Sequence, residues 1–168
     1  MQKVLLLSDT HGHLDDAILR HVQEADQVWH AGDLGSLELA DKIASLRPFK
    51  AVYGNIDSAE TRLVYPEDLI FETEGLKVAM THIAGYPGTY SARAKNLITT
   101  HQPHVFICGH SHILKVMKDP KLGHLHINPG AAGVHGFHIY RTMIRFRIED
   151  GRIIAPEVIE LGKRGSLT

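Results

Sequence analysis

Short apolar runs alternate with amphipathic stretches along the first hundred residues of the chain. The runs are almost free of polar positions, which is typical of strands that are buried on both faces. The stretches between them repeat apolar residues at helical spacing. Strand candidates lie at 3–8, 26–33 and 49–55, and helical spacing lies at 15–24, 36–46 and about 89–100.

The rest of the chain is richer in strands. Residues 68–82 are predicted to form two strands joined by a turn at Glu74-Gly75, and 104–110 to form a further strand. Turn signals then separate short strands as far as a final hairpin. The pattern predicts an α/β fold, a sandwich of β-sheets with helices outside, in one domain of residues 1–168. A long edge strand at 141–148 would offer a surface for a homo-oligomer unless its arginines shield it.

Composition narrows the class of protein further. The chain is 43% hydrophobic and 22% charged, as in globular proteins, and its formal net charge of −1 gives no reason to expect nucleic acid or a membrane as partner. Cys108 is the one cysteine, which rules out an internal disulfide and favours a reducing compartment. The apolar start is too short for a signal peptide. We expect a cytoplasmic protein.

Five predicted strands share one feature, a polar residue of the same chemical kind just beyond the strand end. In open α/β sheets, ligands bind beyond the carboxyl ends of the strands. One such residue could be an ordinary loop side chain, but five strand ends in succession predict a common site. The residues are Asp9, His11, Asp33, Asn55, Asp57, His82, His110 and His112.

Without Asp57, these residues provide seven donors, an unusual set for one metal ion and a natural one for two. Mixed nitrogen and oxygen donors favour first-row transition metals, with manganese as first choice and iron, nickel or zinc as alternatives. Two divalent ions exceed the charge of Asp9 and Asp33, so the centre would attract an anion. Two ions can hold a phosphoryl group and activate a bridging hydroxide that attacks phosphorus. The sequence therefore predicts hydrolysis of a small phosphate ester.

The motifs "DTH…GD…GN…H…GHSH" resemble those of the calcineurin-like metallophosphoesterase superfamily, whose pattern is D-x-H, G-D, G-N, H and G-H-x-H. The short chain, the "GN-x-D" form and the "NPG" segment at 128–130 resemble its small prokaryotic phosphodiesterase branch. The resemblance implies a two-layer β-sandwich flanked by α-helices. It also implies a partition of the ligands, with Asp33 as the bridge. The first ion would take Asp9, His11, Asp33 and His112, and the second Asp33, Asn55, His82 and His110.

Three positions depart from the family pattern. Many members carry a histidine after the asparagine that assists the leaving group, and this chain has Ile56 there. The usual "H-G" is replaced by "HIAG", and Ala131 follows "NPG" where serine is expected. Without that histidine, we expect phosphodiesters or activated monoesters to be the better substrates.

Two residues could replace the missing acid, so the catalytic candidates are Asp33, Asn55, His13 and Asp57. His13 follows the first ligands, although it could equally be a solvated residue at a helix entry. Asp57 could instead orient a ligand or cap a turn. His135 and His138 could reach the rim of the site, or be ordinary loop histidines.

A different class of function is a protein-interaction scaffold of the same fold, like the retromer subunit that resembles these phosphoesterases. A scaffold has no need of a complete ligand set. Because all seven ligand positions hold competent residues, catalysis is the favoured interpretation. A nuclease is less favoured, because the chain has no basic stripe.

Overall fold

The computed structural model describes residues 1–165, so the last three residues of the predicted domain lie outside it. The elements follow one another in the order β1 (Gln2–Leu7), α1 (Asp16–Glu24), β2 (Gln27–His30), α2 (Leu37–Leu46), β3 (Phe49–Ala51), α3 (Ala59–Val64), β4 (Asp68–Thr73), β5 (Leu76–Thr81), α4 (Ala92–His101), β6 (Val105–Ile107), β7 (Leu114–Lys118), β8 (Leu125–Pro129), β9 (Tyr140–Glu149) and β10 (Arg152–Lys163). The described helices include none that is long and apolar enough to cross a membrane.

The strands form two mixed sheets. The first has the order β10-β9-β1-β2-β3 and the second the order β4-β5-β6-β8-β7. In the first sheet β1, β2 and β3 are parallel, and in the second β5, β6 and β8 are parallel. Because parallel strands run in the same direction, their carboxyl ends lie together at one end of each sheet.

Strand β1 shows why its sequence is apolar without alternation. Val4 and Leu6 belong to the core between the two sheets, together with Trp29. Leu5 and Leu7, on the other face, pack in the core under α1 and α2. Because successive side chains of a strand point to opposite faces, a strand that is covered on both sides must be apolar throughout.

The second sheet is covered in the same way. Ala94 and Ile98 of α4 pack against Phe106 on its outer face. Cys108 is buried in this same cluster, where burial raises the pKa of its thiol to about 12. Helices therefore lie outside both sheets, and the predicted two-layer β-sandwich flanked by α-helices is confirmed.

Two details differ from the sequence-based expectations. Helix α3 was not predicted; it is six residues long and is capped by Ser58, whose side chain accepts a hydrogen bond from Thr61 N–H. The strand at 141–148 is not an edge. It forms most of β9, which lies between β10 and β1, so the expectation that it could pair with a second copy was wrong. The hairpin folds β10 over its outer side and satisfies its backbone groups.

Candidate metal centre

The loops that carry the candidate ligands meet where the parallel strands of both sheets end. Asp9 N–H donates to Gly32 O at 3.0 Å, which ties the loop after β1 to the loop after β2. Gly109 N–H donates to His82 O at 3.0 Å, which ties the loops after β6 and β5. His110 N–H then crosses between the sheets to Asp9 Oδ2 at 3.1 Å. The predicted convergence of strand ends is therefore a set of direct contacts.

Most of the ligand residues have an unusual backbone conformation. Nine non-glycine residues in the described part of the chain have positive φ, and five of them are candidate ligands. Such conformations are strained for side chains other than glycine, and they concentrate at functional sites. The five, with their φ angles, are Asp9 (54°), His11 (46°), Asp33 (55°), His110 (70°) and His112 (61°).

Two glycines allow these loops to approach each other. A Cβ atom on Gly54 would lie 2.0 Å from Asp33 Oδ1, and one on Gly109 would lie 2.2 Å from Ser8 Oγ. Both separations are far below van der Waals contact, so no larger residue fits without moving the ligand loops. These are the glycines of the G-N and G-H motifs.

The ligand atoms form two groups. Asp9, His11 and His112 each present one ligand atom, and these atoms lie within 4.8 Å of one another; Asp33, His82 and His110 form the second group by the same measure. In the first group, His112 Nε2 is 3.1 Å from Asp9 Oδ1. In the second, His82 Nε2 is 3.2 Å from Asp33 Oδ2.

Asp33 lies between the two groups. Its Oδ2 is 3.4 Å from His11 Nε2 in the first group and 3.2 Å from His82 Nε2 in the second. Its other oxygen, Oδ1, accepts a hydrogen bond from Ile56 N–H at 3.1 Å, which fixes the orientation of the carboxylate. This is the position that a bridging ligand requires.

Asn55 joins the second group on its solvent side. Its Oδ1 lies 3.0 Å from His110 Nδ1, and both residues are exposed. Asp9, Asp33 and His82 are buried beneath them. A ligand from solvent would therefore reach the site from the side of Asn55 and His110.

Hydrogen bonds set the tautomers of two ligand histidines. His82 Nδ1–H donates to Ala31 O at 2.7 Å, which leaves Nε2 to face Asp33. His138 Nε2–H donates to Gly133 O at 2.9 Å, so its Nδ1 accepts from His112 Nδ1–H at 3.2 Å. In its neutral form, His112 therefore also presents a bare Nε2 to a carboxylate.

These contacts provide a test of whether a metal ion fits. Three buried atoms of the two groups, Asp9 Oδ1, His11 Nε2 and His82 Nε2, have no hydrogen-bond partner. A ring nitrogen and a carboxylate oxygen at this distance repel each other unless a proton or a metal cation lies between them. Two donors on one transition-metal ion are about 3 Å apart, because each lies about 2.1 Å from the ion. The 3.1 and 3.2 Å contacts match that separation, so the residues fit divalent ions.

The charge state also suits metal binding. Burial alone would raise the pKa of Asp9, but its contacts with His112 and His82 and the Ser8 hydroxyl hold that pKa below its usual value. Burial also raises the pKa of Asp33, but hydrogen bonding and positive charge from protonated His82 outweigh it, so the pKa of Asp33 is lowered. A metal ion would take the place of that ring proton when it binds. Both carboxyl groups are therefore ionised at neutral pH, as ligands must be.

His30 is buried beside the ligand loops and holds them in place, and the sequence analysis did not single it out. Its Nδ1 accepts from Gly32 N–H at 3.1 Å, and its Nε2–H donates to Thr10 Oγ1 at 2.9 Å. Burial lowers the pKa of His30 to about 4, so the ring is neutral and can hold both bonds. A histidine at the end of an apolar strand, two residues before the glycine of the G-D motif, was the available signal.

Asp57 is a structural residue of the site. Its carboxylate is buried and accepts three backbone N–H groups, from Leu34 at 3.2 Å, Gly35 at 2.9 Å and Gly54 at 2.7 Å. These bonds hold the loop of Asp33 against the loop of Asn55. Both carboxylate oxygens are engaged by these backbone groups, so the geometry supports the orienting role that the sequence left open.

Other candidates lie at the edge of the site or away from it. His13 Nε2 is 3.0 Å from Asp15 Oδ2, so the structure places it beside the N-cap of α1 and in neither ligand group. His135 does reach the site, with its ring centroid 4.9 Å from that of His11. Asn128 of the "NPG" segment donates to Gly109 O at 3.0 Å and so supports the last ligand loop.

The comparisons with known proteins agree with this geometry. A model of the calcineurin-like phosphoesterase superfamily domain matches residues 2–151, and the chain belongs to that superfamily. It is 27% identical over 164 residues to a probable metallophosphoesterase of Methanothermobacter thermautotrophicus, an alignment that covers 94% of this chain and 91% of that protein. The predicted superfamily is confirmed, and with it the coarse function of a phosphoesterase that uses divalent metal ions.

Two solved structures with low sequence identity share the fold. An archaeal phosphodiesterase has a TM-score of 0.71 and 23% identity, with 95% of this chain and 99% of that chain covered. The Vps29 protein of Entamoeba histolytica, solved in complex with zinc, has a TM-score of 0.70 and 17% identity. That comparison covers 94% of this chain and 98% of the Vps29 chain.

Proposed function

We propose that the chain is a dinuclear-metal phosphodiesterase. The observation that carries the proposal is the position of Asp33 Oδ2, 3.4 and 3.2 Å from a histidine of each ligand group. A carboxylate that belongs to one group and also faces a histidine of the other is the arrangement that two neighbouring ions need. The archaeal phosphodiesterase of the same fold supports the choice of a diester as substrate.

The proposed ligands follow the two groups. Asp9, His11, Asp33 and His112 would hold the first ion, and Asp33, Asn55, His82 and His110 the second. The donors suit manganese, iron, nickel or zinc, and the zinc bound by the Vps29 relative supports a transition metal. Such ions supply a Lewis acid for a phosphoryl oxygen and lower the pKa of a shared water.

The chain's own residues would position the substrate. Asn55 and His110 line the exposed side, where a phosphate group can enter, and the Asn55 amide N–H₂ can donate to a phosphoryl oxygen. Asp33 is held in place by Ile56 N–H and cannot rotate without losing that bond. His82 is oriented in the same way by Ala31 O.

The test is hydrolysis of bis(4-nitrophenyl) phosphate by protein loaded with Mn²⁺, with metal content measured by mass spectrometry. We expect about two metal ions per chain and turnover. The scaffold function has an observation in its favour, the shared fold with Vps29. Two bound ions without turnover of any diester or monoester would favour the scaffold.

The leaving group provides a first prediction. Ile56 has no ionisable proton and cannot act as a general acid. The absence of a general acid lowers the rate by about 10²–10⁴ for poor leaving groups. For aryl phosphodiesters of graded phenol pKa, log kcat/KM is expected to fall steeply as that pKa rises. In Ile56→His the slope is expected to flatten. A flat slope in the wild type would show that a general acid is present. The slope of His13→Gln would then show whether His13 is that acid.

A second prediction concerns His138, which we propose as a positioning residue for the ligand His112. His138→Ala removes the acceptor that fixes the His112 tautomer, and such changes weaken metal binding by about 10–100-fold. Calorimetric titration of the metal-free protein with Mn²⁺ measures this directly. His101→Ala, at the end of α4, is the matched control. Equal affinities in the two variants would contradict the positioning role.

A further inference from the structure

A cavity of about 480 Å³ lies on the outer face of the first sheet, between the end of α1 and strands β1, β9 and β10. Its volume is within the range of roughly 300–1,000 Å³ that small-molecule sites occupy. Helix α1 ends at Glu24, which lines the cavity together with the following Ala25. Both apolar and charged side chains contribute to the lining.

The sheet places two basic side chains next to each other in this cavity. Lys3 lies directly opposite Arg147 in the pairing of β1 with β9, and Leu5 lies opposite Arg145. Residues directly opposite on neighbouring strands share a face of the sheet, so all four belong to the face that Leu5 turns toward α1. All four line the cavity.

The charges of the lining are only partly compensated. Arg145 Nε donates to Glu157 Oε2 at 2.8 Å, and its Nη1 lies 3.8 Å from Glu24 Oε2. Arg147 has no such partner: among residues 1–165 its side chain forms no ion pair, and its buried Nε–H has no acceptor. With Lys3, the lining has three cations against two carboxylates, which is an excess of one positive charge.

A second buried nitrogen of the cavity also lacks a hydrogen bond. His21 Nδ1 is 3.6 Å from Glu24 Oε2, which is beyond hydrogen-bond distance, and no other group in the described part of the chain bonds to it. Nearly all buried polar atoms in folded proteins have a partner. Two without one, both on side chains that line the same cavity, indicate that a ligand completes it.

A β-bulge in β10 borders the same cavity. The pairing advances from Ile154 to Glu157 along β10 while it advances from Arg147 to Arg145 along β9, so β10 has an extra residue there. Ala155, inside the bulge, has a φ of 50°, which is strained for a residue with a Cβ, and it lines the cavity. Bulges redirect side chains and are frequent next to functional sites.

We propose that this cavity binds a small organic anion with one carboxylate group and an apolar body. The guanidinium of Arg147 matches a carboxylate with two parallel N–H donors, and Lys3 lies beside it. Leu5, Ala25 and Ile159 supply apolar wall for the body of the ligand. One negative charge balances the excess of the lining, whereas a phosphate monoester would bring nearly two.

This site is separate from the metal centre. Lys3 precedes the candidate ligand Asp9 by six residues, and a strand rises about 3.3 Å per residue, so the two lie roughly 20 Å apart. The ligand of the cavity is therefore not the group that would be hydrolysed at the metal ions. The inference goes beyond the proposed phosphodiesterase function and does not depend on it.

The test is an NMR titration of the full chain with 4-phenylbutyrate, in which the shifts of backbone amides are followed. Amides of Lys3, Ala25 and Arg147 should shift, whereas those of His82 and His110 should not. Acetate keeps the carboxylate without the body, 4-phenylbutanol keeps the body without the charge, and 4-phenylbutyl phosphate adds a second negative charge. Each of these probes should bind more weakly than 4-phenylbutyrate by about tenfold or more.

Variants connect the binding to the unpaired arginine. Arg147→Met removes the guanidinium and keeps a long side chain, and it should weaken binding of 4-phenylbutyrate by about 10–100-fold, the effect of one hydrogen bond to a charged group. Arg152→Met, at an exposed position of β10 outside the cavity, is the matched control and should bind as the wild type does. Because Arg147 has no partner in the protein, the ligand-free Arg147→Met variant should keep the wild-type Tm.

Several results would overturn the inference. Shifts confined to the loops of His82 and His110 would show that the carboxylate binds only at the metal centre. Equal binding of 4-phenylbutanol, or tighter binding of the phosphate, would exclude the proposed ligand class. A Tm that falls by several degrees in Arg147→Met would assign the arginine to the fold. An absence of shifts with every probe at millimolar concentration would exclude the site.

Discussion

Replacing Asp33 by asparagine is expected to lower kcat/KM for bis(4-nitrophenyl) phosphate by on the order of 10³-fold or more. The change keeps the shape of the side chain and an oxygen that can accept from Ile56 N–H, but it removes the charge that faces both His11 and His82. Metal ions contribute several kcal/mol to stabilising charge in the transition state, and about 4 kcal/mol corresponds to a factor of about 10³.

Metal content decides whether this loss has the proposed cause. In Asp33→Asn we expect fewer than two ions per chain, because the residue serves both groups. Asp41→Asn, on the exposed face of α2, is the matched control and should keep both ions and full activity. Two tightly bound ions and wild-type turnover in Asp33→Asn would be incompatible with a bridging carboxylate.

The largest effect on stability is expected for Asp57→Ala. The variant leaves three backbone N–H groups, of Leu34, Gly35 and Gly54, without the carboxylate that accepts them. Each buried donor without a partner destabilises by about 1–3 kcal/mol, so the free energy of unfolding should fall by about 3 kcal/mol or more. For a chain of this size, that corresponds to a loss of about 10 °C in Tm.

Thermal and urea unfolding of metal-free protein would measure this loss without a contribution from bound ions. Asp41→Ala provides the control, since it removes a carboxylate from a helix surface. If Asp57→Ala unfolds with the wild-type Tm but loses activity, the residue acts in the chemistry and the structural role is refuted. Asp57→Asn, which keeps one acceptor oxygen, should fall between the wild type and Asp57→Ala.

The fold could be predicted because its strands are covered on both sides. Burial of both faces makes β1 apolar at Val4, Leu5, Leu6 and Leu7 alike, and this signal is local in sequence. The order of strands is not local. The pairing of β9 with β1 depends on contacts such as Val4 with Phe146, more than a hundred residues apart, and the edge was therefore misplaced.

The convergence of the site was predictable for a similar reason. Parallel strands deliver their carboxyl ends to one place, so polar residues after several of them must meet. The contacts that hold the ligands in place were harder to predict from the sequence. His138 orients His112 from 26 residues away, and the three bonds of Asp57 depend on how two loops pack. Neither residue type identifies its role without the loop geometry.

The left-handed backbone at Asp9, His11, Asp33, His110 and His112 has a consequence for how such a protein can change over generations. At these positions glycine is the residue that the backbone would prefer, and each of these five ligand side chains is held against that preference. A substitution by glycine would then destroy a ligand while relieving strain. Inactive descendants could therefore be more robust than their catalytic ancestor, and stability alone would never maintain the site.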